Sequence, residues 1–176
     1  MRHLVLCLAL LFSPFVTGTS IEVGFSPSGT ALSLVLRVID DAQETLDVEA
    51  YSFTSKDVAT ALTRAAARGV KVRVVADAKS HGSKYSALTF LANHQVSVRL
   101  NDRYAIMHNK VMIADNRHVK TGSFNYSAAA NKSNAENVLV IRDQPALARA
   151  YLKEFERLWV EGKRLEPTYL SQADRS

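Results

Sequence analysis

Two side chains of different chemistry stand two positions apart in a mostly apolar segment, Ile106–Ala114. Residues two apart on a β-strand face the same side, so His108 and Lys110 would lie next to each other. An imidazole can act as a nucleophile or as an acid, and a lysine ammonium carries a positive charge. The pair therefore suits a reaction at an anionic centre.

Small polar residues close the strand-like segment that follows. Gly122 would let a second backbone approach closely, while Ser123 and Asn125 would supply short hydrogen-bond donors. Reaction at a phosphodiester needs a nucleophile or acid, and groups that stabilise the equatorial oxygens as charge shifts. The two segments together predict phosphodiester chemistry.

These residues and one aspartate form a single pattern without a gap: His108-x-Lys110, four residues, Asp115, six residues, Gly122-Ser123-x-Asn125. The pattern resembles the signature of the phospholipase D superfamily. Nearly all of the chain after residue 20 is similar to the small bacterial endonucleases of that superfamily, the Nuc type. Glu136, eleven residues past Asn125, stands where the family usually has an acid.

The resemblance implies a role for each residue. His108 would attack phosphorus and form a phosphohistidine, while a second histidine would protonate the leaving oxygen and later activate water. Lys110, Asn125 and Gly122 would form the phosphate site, with Ser123 supporting it through its hydroxyl. Glu136 would accept the other ring N–H of His108 and fix its tautomer.

Two roles stay open for Asp115. On strand parity it is out of step with His108 and Lys110, and it stands with Asn116 at a predicted turn. It would either take part in catalysis or fix the hairpin through hydrogen bonds.

One motif supplies only one of the two histidines that in-line displacement needs on opposite sides of phosphorus. The other histidines after residue 20 are His81, His94 and His118; they lack Lys and Asn surroundings, and surface positions are favoured for them. A twofold axis would place two copies of His108 face to face. We therefore predict a homodimer with one active site across its interface.

No metal or other cofactor is predicted. Lys110 stands where a metal site would need another ligand, and an ammonium repels a divalent cation. The triplet from His108 to Lys110 resembles the HNH motif of metal-dependent nucleases, but those sites need further ligands on a helix, and the following segment is typical of a strand. The family resembled here likewise works without metal.

The loop after the third predicted strand is a second candidate contact with substrate. Lys79 and Lys84, with Tyr85 beside them, would lie at the C-terminal end of a strand, where α/β sheets bind ligands. They would contact a phosphate backbone. A solvated charged loop is an equal alternative.

Residues 1–20 have the features of a secretory signal peptide, with cleavage expected after Gly18 or Ser20. The apolar run at 4–12 is shorter than the roughly 20 residues that span a bilayer. A periplasmic or secreted protein is therefore predicted. Cys7 would leave with the signal, so the mature chain would have no disulfide.

The net positive charge favours a polyanionic partner but does not identify it. Removal of residues 1–20 lowers Lys and Arg from 22 to 21 while Asp and Glu stay at 17, a net charge of about +4. A positive excess suits nucleic acid or anionic lipid.

The favoured function is a nuclease cutting DNA or RNA without sequence preference. A phospholipid phosphodiesterase or phosphatidyl transferase is the alternative, and a catalytically silent nucleic-acid-binding protein is a third; no segment favours stable membrane association.

Helix-like and strand-like segments alternate along residues 21–176, which we interpret as one domain. Strands are predicted at 21–27, 46–53, 70–77, 96–101, 104–115, 117–124 and 135–142. Helices are predicted within 28–46, 54–69, 85–95 and 144–165. Strand–helix repeats favour parallel pairing of the first four strands, and Asp115-Asn116 favours a hairpin. We expect a mixed, largely parallel α/β sheet with helices on both faces.

Overall fold

The computed structural model describes residues 18–82 and 87–168. Most of the predicted signal peptide lies outside these ranges, as do Lys84 and Tyr85. The strands of the described residues are β1 (Ser20–Ser26), β2 (Thr45–Ala50), β3 (Lys71–Asp77), β4 (Ser97–Asn101), β5 (Lys110–Ala114), β6 (His118–Gly122), β7 (Glu136–Arg142) and β8 (Lys163–Arg164). The helices are α1 (Thr30–Asp41), α2 (Lys56–Ala67), α3 (Ala87–Asn93), α4 (Ala128–Lys132) and α5 (Pro145–Glu161).

All eight described strands join one sheet in the order β1-β7-β6-β5-β2-β3-β4-β8. β2, β3 and β4 are parallel, as the strand–helix repeats predict, and the other pairs are antiparallel. Helices cover both faces, so the predicted mixed α/β class is confirmed. The expectation of a largely parallel sheet is wrong: among the described strands two pairs are parallel and five are antiparallel, because β5 and β6 form a hairpin and β1, β7 and β8 add antiparallel to the sheet.

The position of β1 differs from the prediction. β1 was expected beside β2 in the parallel run, but it pairs antiparallel with β7 at the sheet edge, with Ile21 opposite Ile141. β5 takes the place beside β2, since all five of its residues are buried and suit a central strand. One face of β1 carries three exposed apolar residues, which an edge strand tolerates better than a central one: Ile21, Val23 and Phe25.

Two apolar layers hold the helices on the sheet. One layer packs α1, α2 and α3 against alternate strand residues, including Leu46, Val48 and Met112. The other packs α5 through Phe155 and Leu158. Burial of this kind contributes about 25 cal/mol per Å² of apolar surface removed from water.

The residues at the helix ends largely follow the sequence. The sequence predicts Thr54 or Ser55 as the cap of α2 and Gly69 at its end. Ser55 caps the helix by accepting a hydrogen bond from the backbone N–H of Val58, and Gly69 follows α2 in the left-handed conformation. For α1 the sequence predicts Ser28 as the N-cap, but the N-cap is Gly29, and the hydroxyl of Ser28 donates to the carbonyl of Phe25.

The turn between β5 and β6 is the predicted hairpin. Asp115 and Asn116 have φ angles of 52° and 54°, as a two-residue hairpin turn requires. The Asp115 carboxylate accepts hydrogen bonds from the backbone N–H groups of Gln43, Glu44 and Thr45, at 2.8–3.0 Å for the shortest of each. It therefore ties the loop before β2 to the hairpin. Of the two roles left open for Asp115, the geometry favours the structural one.

Candidate active site

The motif residues lie together where the ends of four neighbouring strands meet. This line of strand ends is called the active-site edge. Ala50 at the end of β2 pairs with Lys110 at the start of β5, and Gly122 at the end of β6 pairs with Val138 near the start of β7. The opposite edge carries Asp115, about 17 Å from Lys110 at 3.3 Å per residue along the strand. The motif residues therefore lie together at the active-site edge, except for Asp115, which lies at the opposite ends of the strands.

His108 lies just before β5 and is exposed. Its ring meets the ring of Tyr51 edge to face, with centroids 4.6 Å apart and planes at 61°. This contact sets the orientation of the imidazole from one side and leaves it accessible.

Lys110 is buried, with only 6% of the residue exposed, and two contacts fix the position of its side chain. Its Nζ donates a hydrogen bond of 2.7 Å to the carbonyl of His108 and lies 5.3 Å from the centroid of the Tyr51 ring. Burial lowers the pKa of Lys110, and the negative charge of Glu136 partly opposes that shift. The cation is thus fixed beside the backbone of the expected nucleophile.

Gly122 allows the loop after β6 to lie against β7. Its φ is 132°, and a Cβ there would fall 2.4 Å from the carbonyl oxygen of Asn137. The same oxygen accepts hydrogen bonds from the backbone N–H groups of Ser123 and Phe124, at 3.1 and 3.3 Å. The predicted close approach of two backbones at Gly122 is confirmed.

Glu136 has different partners from those expected. Its carboxylate accepts hydrogen bonds from the Ser123 hydroxyl at 2.5 Å and from the Asn134 amide at 2.9 Å. Between the described residues His108 and Glu136 there is no hydrogen bond, because β6 separates their strands. Within one chain, Glu136 therefore positions Ser123 and the loop before β7 rather than the imidazole.

Asn125 offers an unsatisfied group at this edge. Its Oδ1 is buried and has no hydrogen-bond partner among the described residues. Burying a polar atom without a partner costs free energy, so such an atom is a candidate contact for a ligand.

Lys79 is exposed and lies beside the segment that carries His108. Its Nζ donates to the carbonyls of Tyr104 and Ala105, at 3.1 and 2.8 Å. Asp77, at the end of β3, accepts from the backbone N–H of Met107 at 2.8 Å. These bonds tie the segment before β5 to β3. A contact of Lys79 with substrate stays a prediction, and Lys84 lies outside the described residues.

The remaining histidines have other settings. His118 accepts a hydrogen bond of 3.1 Å from the backbone of Asp143 at the far edge of the sheet, and burial lowers its pKa. The His94 ring packs against Phe90. His81 follows β3 at the same edge as the motif, and burial lowers its pKa.

Sequence reasoning missed two residues near the site: Tyr51 and Lys120. Lys120 is fully buried on β6, on the same face as Lys110. The alternation of Val119, Lys120 and Thr121 is equally typical of a strand whose lysine faces solvent. The sequence held no signal that distinguishes a buried lysine at this position from one that faces solvent.

An apolar cavity of about 610 Å³ opens beside the ends of β2 and β3. Its walls are mainly apolar, with polar groups among them: Phe53, Ala59, Ala87, Leu88, Phe90, Thr54, Lys56, Thr60, Ser80 and His81. Phe53 links the cavity to the motif, since its ring lies 5.5 Å from that of Tyr126 and it follows Tyr51 by two residues.

Residues 35–159 match the family model described as cardiolipin synthase, PLD-like domain. The chain belongs to the phospholipase D superfamily. It is 39% identical over 137 residues to a phospholipase D of Rickettsia conorii, covering 78% of this chain and 68% of the relative. It is 36% identical over 162 residues to the mitochondrial cardiolipin hydrolase of Xenopus laevis, covering 86% and 76%.

Two solved structures are similar to the fold of this chain. Nuc of Salmonella typhimurium, a phospholipase D family member, is 39% identical and superposes with a TM-score of 0.83 over 85% of this chain and 99% of its own. NucT of Helicobacter pylori is 27% identical with a TM-score of 0.75, over 84% and 100%. As a member of the phospholipase D superfamily, the protein is a hydrolase of phosphodiester bonds.

Proposed function

We propose that the protein is a metal-independent endonuclease that hydrolyses DNA, and RNA as a second substrate, without sequence preference. The observation that carries the proposal is the convergence of an exposed His108, a buried Lys110 and the unsatisfied Asn125 at one sheet edge. The net charge of about +4 for residues 21–176 supports a polyanionic substrate. The resemblance of the motif to the small endonucleases of the Nuc type favours a nuclease, and the present chain covers 99% of the Nuc structure.

The reaction would proceed in two displacements at phosphorus. His108 forms a phosphorus–nitrogen bond as the bond to the leaving oxygen breaks, and that oxygen takes a proton from His108 of the partner subunit. The partner's His108 then removes a proton from water, which attacks phosphorus and releases His108. Lys110 and Asn125 stabilise the phosphate oxygens, while Glu136 and Ser123 support the loop that carries Asn125.

The second histidine would come from a homodimer, and one surface of the fold suits that contact. Ile21, Val23 and Phe25 are 68%, 57% and 54% exposed. They lie on the face of the sheet that carries α5, but on the edge strand that α5 does not cover. Leu139 lies opposite Val23, so the apolar surface extends onto β7. It ends where Ser26 pairs with Glu136, at the active-site edge.

We infer that a second copy covers this apolar surface, because a patch of this kind is unusual on a monomer and it borders a site that lacks one histidine. Val23→Asp should convert the dimer to a monomer in sedimentation and lower activity by at least tenfold. Val160→Asp, the same change at an exposed valine on α5, is the matched control. A monomeric Val23→Asp with full activity would contradict the shared site.

A phospholipid substrate is the second candidate, and the apolar cavity favours it. A cavity of about 610 Å³ with apolar walls, next to the motif, would hold an acyl chain. Relatives named phospholipase D and mitochondrial cardiolipin hydrolase give the same indication. In the described residues no helix is long and apolar enough to cross a membrane.

We also propose that the chain is exported and that residues 1–20 are removed. The basic start and the apolar run at 4–12 support this. Mass spectrometry of the protein from the periplasm of an expressing bacterium should give a chain beginning at Thr19 or Ile21. A full-length chain confined to the cytoplasm would contradict it.

Substrate choice is tested with residues 21–176 on plasmid DNA, single-stranded DNA, RNA and cardiolipin vesicles, all in excess EDTA. The nuclease proposal expects turnover of the nucleic acids that is lost in His108→Ala and kept in His94→Ala. Turnover of cardiolipin alone would replace it with the lipid proposal, with the same residues in the same roles.

A further inference from the structure

Lys120 lies beneath the motif with none of its surface exposed. Its Nζ donates a hydrogen bond of 3.0 Å to the carbonyl of Lys110. The same Nζ lies 4.7 Å from the centroid of the Tyr126 ring and 6.0 Å from that of Phe124. Lys120 therefore connects the strand of Lys110 to the loop in which Asn125 stands between these two aromatic residues.

Few charges face Lys120. Lys110 faces it from β5 and Glu136 from β7, and its direct cross-strand neighbours, Met112 and Val140, are apolar. In the described part of the chain Lys120 forms no ion pair; the Glu136 carboxylate is engaged by Ser123 and Asn134. Two lysines thus lie on one buried face without a contacting carboxylate. Burying an ammonium is costly unless an anion compensates it.

We propose that Lys120 is a second cation of the phosphate site, which binds a proton when the phosphodiester binds and stabilises the anion from beneath Lys110. It touches no reacting atom, so it is a positioning residue. The inference rests on the proposed function in one respect: a phosphodiester anion must bind beside Lys110.

The protonation of Lys120 supports this role. Burial and the neighbouring Lys110 lower its pKa to about 7, against the opposing effect of Glu136. Above that pH the amine is mainly neutral when the site is empty. An anion beside Lys110 raises the pKa, so binding takes up a proton and affinity falls as the pH rises above 7.

The test measures binding of sulfate, an anion that does not titrate in this range, to the full mature chain. Calorimetry at pH 8 in two buffers of different ionisation enthalpy gives the protons taken up per sulfate. His108→Ala serves as the common background, so that this imidazole does not contribute. We expect proton uptake in that background. We also expect the affinity for sulfate to fall by at least about tenfold between pH 6.5 and 9, because an increase of one unit in the pKa of Lys120 on binding corresponds to a factor of ten.

Lys120→Met in the same background should abolish most of the proton uptake and flatten the pH dependence. Lys153→Met, an exposed lysine on α5, should leave both unchanged. Equal proton uptake with and without Lys120 would overturn the proposal. So would the absence of sulfate binding at any pH.

A second measurement needs no variant. Heteronuclear NMR of the lysine side chains should give a titration near pH 7 for Lys120 that moves to higher pH with sulfate. An unchanged titration would overturn the proposal. Sulfate binding requires no turnover, so failure of the nuclease assay leaves both measurements informative.

Discussion

Replacing the buried Lys120 with methionine should stabilise the protein at neutral pH. The pKa of Lys120 is about 7 in the folded chain, against 10.5 as the ordinary value for lysine. The difference of about 3.5 pH units corresponds to about 5 kcal/mol of folding free energy. Methionine of similar length leaves the carbonyl of Lys110 without this donor, at a cost of about 1–3 kcal/mol. A net gain of about 2–4 kcal/mol is therefore expected at pH 7.

The sign of the pH dependence follows from the lowered pKa. Between about pH 7 and 10.5 the unfolded chain binds a proton on Lys120 that the folded chain does not hold. The free energy of unfolding of the wild type should therefore rise with pH across this window. The stability gained in this way is lost again as the pH falls, because the protonated lysine favours the unfolded chain. Lys120→Met should lack that rise.

Urea denaturation at pH 7 and at pH 9.5, at one protein concentration, measures both effects. Lys153→Met is the matched control, since that lysine is exposed on α5. A Lys120→Met variant less stable than the wild type at pH 7 would contradict the cost of burying this ammonium. A variant that keeps the pH dependence of the wild type would contradict it as well.

Three further substitutions test the site and its support. Lys110→Ala should lower the turnover number by about 10²–10³ through lost charge stabilisation, with KM changed much less; an effect confined to KM would contradict a role in the transition state. Gly122→Ala should destabilise the protein by at least about 1–3 kcal/mol in urea denaturation, because its Cβ would lie 2.4 Å from the Asn137 carbonyl. Gly82→Ala should change little, since its Cβ would meet none of the described residues within 4 Å. Asp115→Ala should cost about 2–4 kcal/mol of stability through the loss of three backbone hydrogen bonds, while the folded fraction stays active. An inactive but stable Asp115→Ala would restore the catalytic role.

Local rules predicted much of the fold. The left-handed turn at Asp115 and Asn116, the cap at Ser55 and the buried strands each depend on residues close together in sequence. The convergence of the motif also followed, because a hairpin necessarily returns Gly122 to the level of Lys110.

Pairings between distant segments were not predictable in the same way. β1 joins β7 across more than a hundred residues, and nothing in residues 20–26 specifies that partner. The partners of Glu136 depend on the register of β6 against β7, and that register places Ser123 within its reach. Lys120 is buried because Phe124 and Tyr126 fold over it, although lysine usually faces solvent.

The most direct test of the central claim is cleavage of plasmid DNA by purified residues 21–176 in excess EDTA. Cutting should persist without divalent metal and disappear in His108→Ala, while His94→Ala should cut normally. Cutting that needs added metal, or that survives in His108→Ala, would contradict a histidine phosphodiesterase acting on nucleic acid.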